Sequence, residues 1–154
     1  MQHQIQSPRL KQPSFTSLAK SILTAGAVLF GLGAATAQEP PVSIELNKLE
    51  PQGKTCRAYI VIQNKGTNNY QELKLDIVLF KPDGVIGKRF AVDLAPLKAD
   101  KRTVKLFDIE DTACEEVGSF LINDVMECKA DTGPLTDCLK DLNVSSRTNV
   151  ELTK

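Results

Sequence analysis

From residue 42 onward apolar and polar positions alternate with a period of two, the pattern of strands half buried against a core. Val42, Ile44 and Leu46 are separated by polar neighbours. Arg57–Gln63 carries Ala58, Tyr59, Ile60, Val61 and Ile62 in succession, apolar on both faces as in a central strand. Leu73, Leu75, Ile77 and Leu79 alternate with Lys74, Asp76, Val78 and Phe80. Phe90, Val92 and Leu94 follow, then Val104 and Leu106 with Phe107 and Ile109, then Phe120 and Ile122 with Leu121 and Val125, and Val150 with Leu152 closes the set. The separators have mechanisms. Asn64–Asn69 reads as a loop because glycine and asparagine accept left-handed backbone angles cheaply. Pro82-Asp83-Gly84 reads as a tight hairpin turn, proline presetting its first corner and glycine taking the positive φ. Pro96–Arg102 is a polar connection, and Pro134–Leu142, with Leu135, Leu139 and Leu142, predicts one short helix or turn. About seven short strands divided by such separators predict an all-β chain, a single antiparallel sandwich.

The N-terminal segment follows a different rule. Residues 1–20 are polar and carry Arg9, Lys11 and Lys20; an uncharged apolar run from Ser21 to Gly33 follows, then the small-residue site Ala35-Thr36-Ala37. Basic start, short apolar stretch and small-x-small site form a secretory signal, cleaved between Ala37 and Gln38. A membrane anchor would need roughly 20 apolar residues, more than this run supplies. The organisation expected is therefore a signal peptide over 1–37, an extended lead-in over 38–41 (Gln38-Glu39-Pro40-Pro41) and a β-sandwich domain over 42–154. The short alanine-rich signal is of bacterial type and predicts a periplasmic product with no membrane association after cleavage.

Charge and residue inventory narrow the chemistry. The chain has 19 basic and 19 acidic residues, but the three bases named above precede residue 38, so the mature part carries 16 against 19. That acidic balance disfavours nucleic acid as a partner. The one histidine is His3, within the signal, so the mature chain lacks imidazole for general bases or metal ligands. Nineteen carboxylates leave an ion site open, the densest group being Asp108, Glu110, Asp111, Glu115 and Glu116 around Cys114. No calcium-loop spacing is present, and a solvated acidic loop is the ordinary explanation. The mature serines Ser43, Ser119, Ser145 and Ser146 sit in no nucleophile elbow or Ser-x-x-Lys pattern. Copper carriage would want His and Met ligands, and Met126 is the lone mature methionine. Phe80, Phe90, Phe107 and Tyr59 either line an aromatic groove or pack core and edges. The expectation is no cofactor, no metal and no enzymatic activity.

Cys56, Cys114, Cys128 and Cys138 are an even set in an exported chain, which predicts two disulfides. A four-cysteine zinc site usually uses tight pairs two to four residues apart, whereas nine residues separate even Cys128 from Cys138. Strand direction selects the pairing. If each connection reverses direction, Cys56 precedes the strand at Arg57–Gln63 and Cys114 follows the strand ending at Ile109, at one end of the sandwich. Cys128, after the next strand, and Cys138, before a final strand of opposite direction at Val150–Leu152, lie at the other end. A bridge needs Cα atoms within about 7 Å, and a strand is roughly 17–20 Å long. The expected bridges are Cys56–Cys114 and Cys128–Cys138.

Val61-Ile62-Gln63-Asn64-Lys65-Gly66, the Leu73–Phe80 strand, Pro82-Asp83-Gly84, and Leu94-Ala95-Pro96-Leu97 before the Val104–Phe107 strand together resemble bacterial envelope modules of the FxLYD and CARDB type. The likeness covers roughly residues 57–110, and the tyrosine that names the first family is replaced in Val78-Leu79-Phe80-Lys81. The resemblance implies an immunoglobulin- or fibronectin III-like sandwich acting as a binding or spacer module, with no catalytic residue to carry over. The function expected is a secreted, non-enzymatic module that binds or supports another cell-envelope protein, for instance by adding a strand at a sheet edge. Phe90–Leu94 and Val150–Leu152 are the candidate edges. The alternatives are a small disulfide-stabilised inhibitor of a periplasmic or extracellular hydrolase, presenting the loop between Cys128 and Cys138, and an enzyme of unrecognised type.

Overall fold

The computed structural model describes residues 40–154. The expected signal peptide, its Ala37–Gln38 cleavage site and the first half of the lead-in lie outside the described residues. Nine strands follow: β1 (Val42–Gln52), β2 (Thr55–Asn64), β3 (Tyr70–Phe80), β4 (Ile86–Asp93), β5 (Lys101–Ile109), β6 (Ser119–Ala130), β7 (Gly133–Pro134), β8 (Leu142–Ser146) and β9 (Glu151–Thr153), with a three-residue 3₁₀ turn at Cys114–Glu116. They form two sheets. One has the order β5-β2-β1-β8; the other runs β4-β3-β6, with β7 and β9 pairing opposite ends of β6. Period-two alternation places one set of side chains between the sheets. Leu46, Ile62, Leu75, Leu79, Leu94, Ile122 and Leu142 are among the fully buried ones.

The all-β sandwich is as expected, with two corrections to its interior plan. It is not wholly antiparallel: β8 runs parallel to β1, and β9 runs parallel to β6. The Val150–Leu152 segment therefore climbs beside β6, and β8 is the strand of opposite direction that follows Cys138. The second correction is length. β1 continues past Leu46 because a bulge between Leu46 and Lys48 shifts its register, after which it pairs with β2 down to Gln52↔Thr55. Pro51 is tolerated there because β8 covers only Val42–Leu46, so the far half of β1 is an edge.

The connections also differ in detail. Pro82-Asp83-Gly84 makes the expected turn: Gly84 takes φ 81° and its N–H donates to the Lys81 carbonyl at 2.9 Å. The Asn64–Asn69 loop does not use left-handed angles, as positive φ among the described residues falls elsewhere. The fully buried Asn64 side chain holds it instead, donating from Nδ2 to the carbonyls of Asn68 (2.8 Å) and Lys98 (3.1 Å) and accepting from the Gly66 N–H (3.0 Å). Gly66 packs closely, since a Cβ there would stand 3.0 Å from Pro41 Cβ. In the 96–102 connection Leu97 is buried and exchanges two backbone bonds with Tyr70. Pro134–Leu142 forms turns, with Lys140, Asp141 and Leu142 each donating three residues back.

Candidate interaction surface

Both disulfides close as the strand directions require. Cys56 joins Cys114 with Cα atoms 4.8 Å apart, and Cys128 joins Cys138 at 6.6 Å. Cys128 lies within β6, opposite Leu73, rather than after it. The loop between Cys128 and Cys138 folds back on its own strand: Gly133 and Pro134 pair with Ala130 and Lys129, and the Leu135 N–H donates to the Cys128 carbonyl.

The acidic residues around Cys114 do not converge. Asp108 takes a bidentate bond from Arg57 at 2.6 and 2.8 Å, Glu110 accepts from Thr55 Oγ1, and Glu116 accepts from the Ala113 N–H. Among the described residues no three His, Cys, Asp or Glu side chains gather as a metal site would require. The Ser146 hydroxyl is engaged with Thr148. The aromatic residues separate as well. Phe90 and Phe107 line a wholly apolar inter-sheet cavity of about 50 Å³, together with Ile60, Val92 and their neighbours. Ligand pockets are typically about 300–1,000 Å³, so this space is a packing gap. Tyr59 points to the opposite side of its sheet.

That opposite side is where the sequence leaves something unspent. Phe107 and Ile109 face inward on β5, so Arg102, Val104, Leu106 and Asp108 face outward by parity. Their partners on β2 are Gln63, Val61, Tyr59 and Arg57 in turn. Val104 is 54% exposed and Leu106 49% exposed. Together with Val61 and Tyr59 they form an apolar strip on the outer face of the four-stranded sheet. Charged pairs frame it. Arg57–Asp108 closes one end, Lys48–Glu50 lies beside Tyr59, and Arg147 pairs with Glu45 at 2.9 Å. Tyr59 donates its hydroxyl to Glu50 at 2.6 Å while Lys48 Nζ stands 5.2 Å from the ring centre. The bonds from Lys48 and Tyr59 hold the Glu50 carboxyl below its ordinary value, and the Arg57 fork does the same for Asp108. These rim groups are paired with one another, which leaves the apolar strip as the unpartnered part.

The outer face of the other sheet is different in kind. Asp76, with its side chain 7% exposed, accepts two bonds from Arg89 and one from Asn123, and Lys74–Glu127 and Lys129–Glu72 complete a self-paired polar surface. Val85 and Ile86 stand at a hairpin, and Met126 stands out on β6, so Val104 and Leu106 are the large exposed apolar residues that share one strand face.

The open edges matter for the same reason. β4 is an edge as expected, and β9 pairs with β6 alone. The other sheet has β8 at one edge and β5 at the other, and β5 is not legible as an edge from sequence because the lateral order of strands is not. It runs nine residues along β2 without a register shift. Between the β4 and β5 edges the sandwich is closed by lysines: Lys105 donates to the Ala95 carbonyl at 2.8 Å and Lys88 to the Glu110 carbonyl. The signal for the apolar strip was present in the run Val104–Ile109, which is apolar at both parities. Only one parity can face the core in a two-layer sandwich, whatever the place of the strand in its sheet.

No family model and no curated protein matches the chain. Among solved structures the fold is similar to that of IrmA from Escherichia coli, with a TM-score of 0.48 and 13% identity over 67% of this chain and 89% of that one.

Proposed function

We propose that this chain is an exported, non-enzymatic β-sandwich module of the bacterial periplasm that binds another cell-envelope protein on the outer face of the β5-β2-β1-β8 sheet. The observation that carries the reading is the exposed Val104–Leu106 pair, continuous with Val61 and Tyr59 and rimmed by ion pairs. Protein interfaces have this composition, an apolar centre containing an aromatic anchor inside a polar rim. Two disulfides and the absence of any described helix long and apolar enough to cross a membrane fit an oxidising, aqueous compartment. The resemblance to FxLYD and CARDB-type modules points the same way, toward binding or support rather than catalysis. The test is capture from periplasmic extract by the chain beginning at Gln38, with Leu106→Lys as the comparison. An envelope protein held by the parent chain and released by Leu106→Lys supports the reading. Equal capture by both removes the face from it, and a hydrolase as the dominant partner favours inhibition.

A further inference from the structure

We propose that β5 pairs antiparallel with β5 of a second copy of this chain, with Lys105 opposite its own twin, joining two four-stranded sheets into one of eight. This rests on the same face being the interaction surface and names what occupies its edge. The N–H and C=O groups on the far side of β5 have no strand partner, and the strand carries no proline or bulge to block one. A long, regular edge with exposed apolar residues is a template for strand addition unless it is blunted.

The register follows from the sequence of β5 itself. In a symmetric antiparallel pair the two residue numbers facing each other have a constant sum, and that sum must be even if outward residues are to meet outward residues. Centring the pair on Lys105 sets Val104 against the twin's Leu106 and Arg102 against the twin's Asp108, each occurring twice by symmetry. Both matches are favourable, apolar on apolar and plus on minus. Centring on Val104 instead sets Arg102 against Leu106; centring on Leu106 sets Asp108 against Val104 and leaves Arg102 only Glu110, which lies beyond the end of β5 and already accepts from Thr55. In the favoured register each Asp108 carboxylate lies between Arg57 of its own chain, which already holds it, and Arg102 of the other. Arg102 has no ion pair of its own among the described residues, and its charge already reaches Glu45 on this same face. One contact opposes pairing: Lys105 meets Lys105, although each Nζ is drawn to the Ala95 carbonyl beneath its own second sheet. The joined sheets would present both Val61–Val104–Leu106 strips as one continuous stripe, the platform on which the envelope partner packs.

The experiment uses the chain from Gln38 with its disulfides intact, in sedimentation equilibrium from micromolar to near-millimolar concentration. The parent chain is expected to show a monomer–dimer equilibrium, and Arg102→Glu to weaken it about tenfold, as the loss of two cross-strand charge pairs implies. Removing the like-charge contact with Lys105→Thr is expected to tighten it. Register is read by oxidising single-cysteine variants: Lys105→Cys should form an interchain disulfide, since facing Cα atoms lie roughly 4.5–5.5 Å apart, while Thr103→Cys, facing Phe107, should not. A monomeric parent chain with no Lys105→Cys cross-link overturns the proposal; if Leu106→Lys still releases the envelope partner, the binding face stands without the dimer. Cross-linking of Thr103→Cys as readily as Lys105→Cys overturns the register. A dimer with the expected cross-link, alongside unchanged partner capture by Leu106→Lys, keeps the pairing and sinks the face.

Discussion

Removing the Cys56–Cys114 bridge, by Cys56→Ala with Cys114→Ala, should cost more stability than removing Cys128–Cys138 in the same way. The first bridge closes a chain separation of 58 residues and encloses β2 to β5; the second closes 10 and encloses the end of β6 and the β7 turn. Loop-closure entropy in the unfolded chain gives about 4 kcal/mol for the first and about 3 kcal/mol for the second. Either is a large share of the roughly 5–15 kcal/mol that holds a domain together. Cys56 and Cys138 are both buried, so the space alanine leaves unfilled adds to each cost. At roughly 3–5 °C per kcal/mol for a domain of this size, the thermal midpoints should fall by about 12–20 °C and about 9–15 °C. Urea denaturation followed by circular dichroism, in non-reducing buffer, gives both values for two double variants and the parent. A larger loss on removing Cys128–Cys138, or a loss under about 1 kcal/mol for Cys56–Cys114, would refute the reasoning. Non-reducing peptide mapping checks the connectivity behind it.

Other consequences are equally specific. Asn64→Ala leaves the Asn68 and Lys98 carbonyls and the Gly66 N–H without their partner, and should cost about 3 kcal/mol in urea unfolding; a loss within 0.5 kcal/mol of zero, the size of an ordinary surface change, would contradict the role given to it. Gly118→Ala places a Cβ on the Lys81 backbone carbonyl and should destabilise by about 2–3 kcal/mol, measured in the same way. Arg89 and Asn123 hold the Asp76 carboxyl below its ordinary value. Its contribution is therefore fully present above about pH 4 and lost as pH falls through the lowered folded value. Stability measured from pH 6 down to pH 2 should fall less steeply in Asp76→Asn than in the parent chain, and equal slopes would remove the linkage.

Strand content and disulfide pairing were readable because both rest on period-two burial and on the length of a strand. Val42–Leu46 and Leu73–Phe80 announced themselves through alternating apolar residues and Arg57–Gln63 through a continuous apolar run, and reversal of direction after each strand placed Cys56 with Cys114. What escaped depends on which strand lies beside which. β8 is short and polar at Asn143, Ser145 and Ser146, and its parallel partner β1 is about a hundred residues away in sequence. The end of β1 was hidden by the bulge after Leu46, which flips the parity on which the pattern depends. The binding face was obscured for a related reason. Val104 and Leu106 look like core residues until β5 is known to turn the other parity, Phe107 and Ile109, inward. The Asn64 knot rests on side-chain hydrogen bonding in a buried site, which the glycine and asparagine content of the loop does not reveal.

The central claim, that the outer face of the β5-β2-β1-β8 sheet is the surface that meets a protein partner, is tested most directly by hydrogen exchange. The chain from Gln38 would be followed by mass spectrometry alone and with the captured envelope protein. The account predicts slowed exchange in the peptides covering Arg57–Gln63 and Lys101–Ile109, with β3 and β6 unchanged. Protection confined to β3 and β6, or to the loop between Cys128 and Cys138, would contradict it.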